Sequence, residues 1–406
     1  MLARRRRFDL CQLPNLPTEV WLLIFRLATE VPYALLPRTE SPFDLPCRPT
    51  YKEMRTELSR SLITKRYMVL VCKAWNEAAT PLLYSAILLR TTRGVSAAWE
   101  TFRDSAQRNG STRLGHYVKR IDVSMRDSRI HHLPLKKEAE REEREKIVDI
   151  LRRLPSLTIF VMHTRVRSGN ANCIADALVE TCASTLQTIE WTARHRFGHR
   201  CLSWRRLVSS CPNLKSLEVP GHRIFSTELH PTACLSYLSI TYGGEVGSVP
   251  PNPPAPLHIR YSPANWDSTY SKIPTFCLRA ISLDVRFLDH ESLRELLAQY
   301  QCPKLSQLIL RFSTWCSLPW GLKLDSSITH LGLFVEQKQS KLPLIVEGLG
   351  YYLVSWDFPA VKTLRLMSRH PLLEGANLKK GKIRKALQKI QAAGLVVENW
   401  EGKPLN

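Results

Sequence analysis

Leu214-Lys-Ser-Leu-Glu-Val219 (LKSLEV) places apolar side chains at its first, fourth and sixth positions. The last two alternate with a polar residue, so in an extended strand they share one face. The same spacing, apolar-x-x-apolar-x-apolar, occurs upstream at Val118/Ile121/Val123, Leu157/Phe160/Met162 and Leu186/Ile189/Trp191. It continues downstream at Leu235/Leu238/Ile240, Leu278/Ile281/Leu283, Leu305/Leu308/Leu310, Ile328/Leu331/Leu333 and Val361/Leu364/Leu366. Tyr84/Ile87/Leu89 reads as a first, atypical copy. Most copies start roughly 21 to 33 residues apart, a period typical of stacked repeats.

A short strand with one apolar face cannot bury that face alone. Stacking such strands edge to edge, with a return segment behind each, builds one continuous core. Several returns read as helices. Over Glu138–Leu154 the stripe Ile147, Ile150, Leu151 and Leu154 faces inward, while Glu142 and Lys146 pair at i,i+4 on the wet side. Glu291–Tyr300 is a second such return, and Leu154-Pro155, Cys211-Pro212, Cys302-Pro303 and Phe358-Pro359 stop helices before the chain extends. The longest gap, between Leu235 and Leu278, contains SVPPNPPAPLHIRYSPANW, which reads as an inserted surface loop.

About nine parallel strands at roughly 4.8 Å spacing make a ribbon some 40–45 Å wide, suited to a folded protein or a long peptide. Residues between the core positions are expected on the concave side. They include Asp122, Ser124, His163, Glu190, Thr192, Glu218, Tyr237, Thr241, Asp284, Arg311, His330, Phe334 and Arg365. Ordinary solvated strand faces look similar, and a one-residue register change would turn each of these side chains over.

The N-terminal part has a different period. In LPTEVWLLIFRLATEVP, Val20, Leu23, Ile24 and Leu27 line one face of a helix, and Trp21, Leu22 and Phe25 form a second apolar stripe. Pro17 suits the first helical position and Glu19 the first turn, and the helix is expected to end near Glu30. Pro32, Pro37, Pro42, Pro46 and Pro49 make Val31–Ser61 a largely extended excursion. A second helix is expected over about Leu62 to Ala79, with Leu70, Val71, Ala74, Trp75 and Ala78 on one broad face.

The matches L-P-x-E-[apolar]-x-x-x-I-F-x-L, then L-V-C-[basic]-x-W and A-T-P-x-L-Y, resemble an F-box, in the interrupted form of F-box proteins from mushroom-forming fungi. They fall on Leu16, Pro17, Glu19, Ile24, Phe25 and Leu27, then on Leu70, Val71, Cys72, Trp75, Pro81, Leu83 and Tyr84. The resemblance implies that Leu16, Pro17, Glu19, Val20, Ile24, Phe25, Leu27, Leu70, Val71, Cys72 and Trp75 bind a Skp-family adaptor, and through it a cullin scaffold. The repeat is similar to a degenerate leucine-rich repeat, lacking the usual asparagine after each strand. The expected fold is α/β (α+β overall): a helical F-box at 12–85, interrupted at about 31–61, then a leucine-rich-repeat-like solenoid at 86–406 with a parallel sheet on its concave side. The implied function is a substrate-recognition subunit of an SCF-type ubiquitin ligase. An unknown target protein would then sit on Asp122, His163, Glu190, Glu218, Tyr237, Asp284, Arg311, His330, Phe334 and Arg365.

Composition limits the alternatives. The chain has 406 residues, 44% hydrophobic and 23% charged, which is globular rather than disordered. No apolar run approaches the roughly 20 residues that span a bilayer, so no membrane segment is expected. Met1–Arg7 (MLARRRR) reads as a solvated basic tip or a weak nuclear signal. Eleven cysteines without a C-x-x-C pair fit reduced thiols in the cytoplasm or nucleus, with Cys72, Cys211 and Cys302 in apolar-patterned places. His195, His199, Cys201 and Cys211 match no zinc module, so no metal is expected. Gly243-Gly244 reads as a turn, no nucleophile, P-loop or dinucleotide motif appears, and the expectation is a non-enzyme without a cofactor. The net charge of +22 supports the alternative of a basic scaffold associated with nucleic acid, without ubiquitin ligase involvement. The C-terminal basic helix, with Ile383, Leu387 and Ile390 on one side, and a strand at Leu395–Val397 are expected to cap the array.

Overall fold

The computed structural model describes residues 16–37, 43, 51–107, 113–125, 134–163, 168–191, 202–220, 237–241, 258–262, 280–284, 305–312, 324, 326–335, 359–368, 381–392 and 394–405. Among the described residues twelve strands lie side by side in chain order, every neighbouring pair parallel. They are β1 Ala86–Leu89, β2 Arg120–Val123, β3 Ile159–Met162, β4 Thr188–Trp191, β5 Ser216–Pro220 and β6 Tyr237–Thr241. The series continues with β7 His258–Ser262, β8 Ala280–Asp284, β9 Gln307–Phe312, β10 His330–Val335, β11 Thr363–Leu366 and β12 Val396–Glu398. The molecule is therefore mixed α/β, with a parallel sheet as its spine.

The register ties the repeat to the core. One ladder runs Ile87, Ile121, Phe160, Ile189, Leu217, Leu238, Ile259, Ile281, Leu308, Leu331, Leu364, Val397 across all twelve strands. Apart from Ile259 and Val397 these are the fourth positions of the repeat, and those whose side chains are described are buried, Ile87 partly. Behind them pack α4 Thr92–Gln107, α5 Pro134–Leu151, α6 Ser168–Cys182, α7 Leu202–Ser210 and, at the far end, α8 Gly381–Ala392. The first positions recur as a second buried row, at Val118, Leu157, Leu186, Leu214, Leu305, Ile328 and Val361. Strand entry is stapled repetitively, since Thr158 N–H donates to Lys119 O, Gln187 N–H to Thr158 O and Lys215 N–H to Gln187 O.

The helical returns follow the expected chemistry. Ile147, Ile150, Leu151 and Leu154 are buried, and Lys146 Nζ lies 2.7 Å from Glu142 Oε1 on the outside. Asp149 joins α4 to α5 by accepting from Trp99 Nε1 at 2.7 Å while it pairs with Arg153. Leu387, Ile390, Leu395 and Val397 join the main core, so α8 and β12 close its last repeat. Glu291–Tyr300, Cys302-Pro303, Gly243-Gly244, Thr192, His195, His199 and Cys201 lie outside the described residues.

Four expectations need correction. The stretch read as a surface loop contains β7, because His258-Ile-Arg-Tyr alternates and its Ile259 and Tyr261 fall on the core ladders. The excursion at 31–61 is not extended where it is described, since residues 32–36 turn, with Tyr33 at φ 64°. All five prolines precede Tyr51, and the proline-free remainder forms the 18-residue helix α2 Tyr51–Met68. The helix expected over Leu62–Ala79 is broken at Val69–Cys72, where Cys72 is extended (φ −158°, ψ 171°) and precedes α3 Lys73–Tyr84. Asn76 Nδ2 donates to Val69 O at 2.9 Å and holds that turn. Cys72, expected in an apolar site, is exposed, whereas Cys211 is buried.

Candidate functional site

Two surfaces carry the residues singled out in the sequence. The first is the N-terminal bundle of α1 Thr18–Thr29, α2 and α3. Its interior is aromatic. Phe25 stands edge-on to Trp75 with ring centroids 4.7 Å apart, and Trp21 lies 5.0 Å from Trp75 and 5.8 Å from Phe25. Ser61 Oγ donates to Thr29 O at 2.5 Å and ties α2 to the end of α1. Of the two apolar stripes on α1, the Trp21/Phe25 stripe therefore turns inward. The other stripe, Val20, Leu23, Ile24 and Leu27, is exposed, Leu27 to 70%.

Among the residues assigned to adaptor binding, Phe25 is the correction. It is 1% exposed and belongs to the bundle's own core, because aromatic stacking with Trp21 and Trp75 fills its place. Leu16 and Trp75 are half-buried, and Pro17, Glu19, Val20, Ile24, Leu27, Leu70, Val71 and Cys72 are exposed. Ile63 and Tyr67 on α2 are also exposed apolar residues, and sequence reasoning missed them. Their i,i+4 spacing, continued by Leu70 at i+7, was the available signal.

The second surface is the sheet face opposite α4–α8, termed the front face. Its central ladder reads Leu88, Asp122, Val161, Glu190, Glu218, Ser239, Arg260, Ser282, Ile309, Gly332, Arg365, Glu398. The alternation expected from the repeat thus puts Asp122, Glu190, Glu218 and Arg365 on the anticipated face. They are not open, however, and each is buried. The physical reason at either end is that the chain before the sheet returns across this face. Ala34, Met54 and Leu58 pack on Ala86 and Leu88 of β1, and the Tyr51 and His163 rings lie 3.4 Å apart at the exit of β3. Further along, Phe43 packs on Ile309 and Met367, with Phe334 beside it.

Charge at the two ends of this covered face is paired. Arg120 grips Asp122 with Nε and the second guanidinium nitrogen at 2.7 and 3.0 Å, and donates to Ala34 O at 2.9 Å. Burial works against the Arg120 charge, but the Asp122 carboxylate outweighs it and, with Glu190, holds the pKa above its ordinary value. Burial and the same carboxylate raise the Tyr51 phenol. At the other end Arg365 donates to Glu398 at 2.8 Å. Of the remaining predicted target residues, His163, Arg311, His330 and Phe334 are half-buried, and Tyr237 and Asp284 are described by backbone only.

Among the described residues no group of three or more His, Cys, Asp or Glu side chains could hold a metal, and no helix is long and apolar enough to cross a membrane. No protein-family model matches the chain, and no curated protein matches it.

Proposed function

We propose that the protein is a substrate-recognition subunit of an SCF-type, cullin-based ubiquitin ligase, docking on a Skp-family adaptor through α1–α3 and holding a target protein on its repeat region. One observation carries this reading. Of the eleven large apolar residues left exposed among the described residues, ten fall between Val20 and Val71, the eleventh being Val396. The bundle has an aromatic interior of its own, so its outer apolar stripe is surplus to folding. An α-helix with one face packed inward and a second apolar face in water suits a partner groove. The two stretches that carry the F-box resemblance, around Ile24 and around Leu70–Val71, are among the exposed ones. In this role the protein performs no chemistry; it raises the effective concentration of target lysines near a ubiquitin-conjugating enzyme.

The repeat region is read as a solenoid whose sheet bends towards the front face. Ala34 packs at β1 and takes a hydrogen bond from β2, while Phe43, nine residues on, packs over β9–β11. Nine residues reach at most about 32 Å. Eight strand spacings of a flat sheet, from β2 to β10, cover about 38 Å. Curvature towards the front face shortens the chord and supports the reading.

The test is co-purification with a Skp-family adaptor, comparing the wild-type chain with an Ile24→Asp/Leu70→Asp variant. Both side chains are exposed, so the variant is expected to fold with wild-type stability and to lose adaptor capture. Equal capture by the two chains overturns the proposal.

A further inference from the structure

The polar run of the front-face ladder is interrupted at one place. After Glu218, Ser239, Arg260 and Ser282 come Ile309 on β9 and Gly332 on β10, before charge returns with Arg365 on β11. Gly332 makes room for the Met367 side chain. A Cβ there would stand 2.7 Å from Met367 Sδ, 2.8 Å from Met367 Cε and 3.1 Å from Ile309 Cγ1. Its absence lets Met367 lie beside Ile309 and make an apolar floor on a face that is otherwise polar along its middle strands.

A single ring fills this floor. Phe43 is 8% exposed and forms a small cluster with Ile309 and Met367, separate from the main core. The His330 ring lies 5.2 Å from its centroid, and Phe334 packs beside it under the Arg311 guanidinium, 3.9 Å above the Phe334 ring. Arg365 reads the backbone as well as the ring, since its guanidinium donates to Phe43 O at 2.8 Å and stands 5.2 Å from the ring centroid. That guanidinium is fixed from behind. It is paired with Glu398, and Gly402, at φ +79°, leaves the space it needs, because a Cβ there would meet Arg365 at 2.7 Å.

The geometry points to a recognition pocket on β9–β11 for an aromatic residue whose backbone carbonyl faces Arg365, with Phe43 occupying it as the chain's own competitor for a target. The occupant supplies the ligand chemistry: one aromatic ring on the Ile309–Met367 floor and one backbone carbonyl facing Arg365. One ring and one backbone hydrogen bond make an exchangeable anchor. A tether of this length gives the internal segment an effective concentration of about 1 mM, so a target that binds more tightly displaces it. This inference rests on the reading of the front face as the target side and is independent of the adaptor.

The probe is a labelled synthetic peptide with the sequence of residues 38–46 (RTESPFDLP), added to the full chain. Phe43→Ala is expected to bind it at least about tenfold more tightly than wild type by fluorescence anisotropy, the competitor having been removed. The same peptide with alanine for its phenylalanine is expected to lose that binding. Para-fluorophenylalanine placed at position 43 keeps the native packing and reports displacement directly. Its fluorine resonance is expected to move to the free position as unlabelled peptide approaches about 1 mM. A resonance that stays put marks Phe43 as a permanent staple and overturns the proposal, as does equal peptide affinity in wild type and Phe43→Ala. Adaptor capture measured on the same samples separates this result from a failure of the ligase reading.

Discussion

The N-terminal bundle and the strand ladder use apolar residues in opposite ways. In the ladder every described repeat position finds a neighbour in the next repeat or in the helix behind it, so its apolar pattern is consumed by the chain itself. In the bundle the pattern is split. Phe25 is buried, yet Ile24 beside it and Leu27 two positions on are exposed. Equal hydrophobicity thus does two jobs, and the number of surfaces available to cover it decides which. A strand in mid-array has a neighbour on each edge and a helix behind, whereas a bundle of α1–α3 can turn only one side of each helix inward.

The contrast is broken most sharply by paired truncations. Phe160→Ala in β3 is expected to cost about 3–5 kcal/mol, and Leu27→Ser in α1 less than about 0.5 kcal/mol, as read from urea unfolding midpoints. Similar losses at the two sites would mean that the bundle is covered by its own chain after all. Next in size is the buried ion pair under the returning segment. Arg120→Ala leaves Asp122 uncompensated and strips a donor from Ala34 O, and is expected to destabilise by about 3 kcal/mol. A much smaller loss would show that this segment contributes little to the sheet it crosses.

A third contrast is a pH slope confined to the ladder side. Burial raises the Cys182 and Cys211 thiols from 9.0 to about 12, with Cys211 adding to the shift at Cys182. A raised thiol stays protonated in the folded chain while the unfolded chain ionises. Stability is therefore unaffected below about pH 9 and falls as pH rises towards 12, by about 1.4 kcal/mol per unit for each thiol. Cys182→Ala/Cys211→Ala should flatten that slope. The exposed Cys72 and Cys173 should alkylate at neutral pH while these two do not, as mass spectrometry of the labelled peptides would show.

Most of the ladder was legible because a period-two strand fixes which side chains share a face, and each copy repeats the test. The atypical first copy at Ile87 was found in the same way, and the short strand expected at Leu395–Val397 lies one residue later, at Val396–Glu398. β7 escaped because prolines surround it and no apolar residue sits three positions before Ile259. The break at Val69–Cys72 escaped because Leu70, Val71 and Ala74 continue an apolar stripe through it, and the stripe outweighed the turn. At the candidate site the parity of Asp122, Glu190, Glu218 and Arg365 was right and their openness was wrong, since strand alternation carries no information about what lies over the strand.

The sequence alone determined the elements whose stabilising neighbours are adjacent repeats: the apolar ladders, the helices behind them, and the two greasy stripes of α1. Their signals are local and periodic. The tertiary structure decided which α1 stripe turns inward, that residues 34 and 43 reach opposite ends of one sheet face, and that Gly332 opens a place for a distant phenylalanine. Those outcomes depend on contacts between segments far apart in the chain, and no period in the sequence records them.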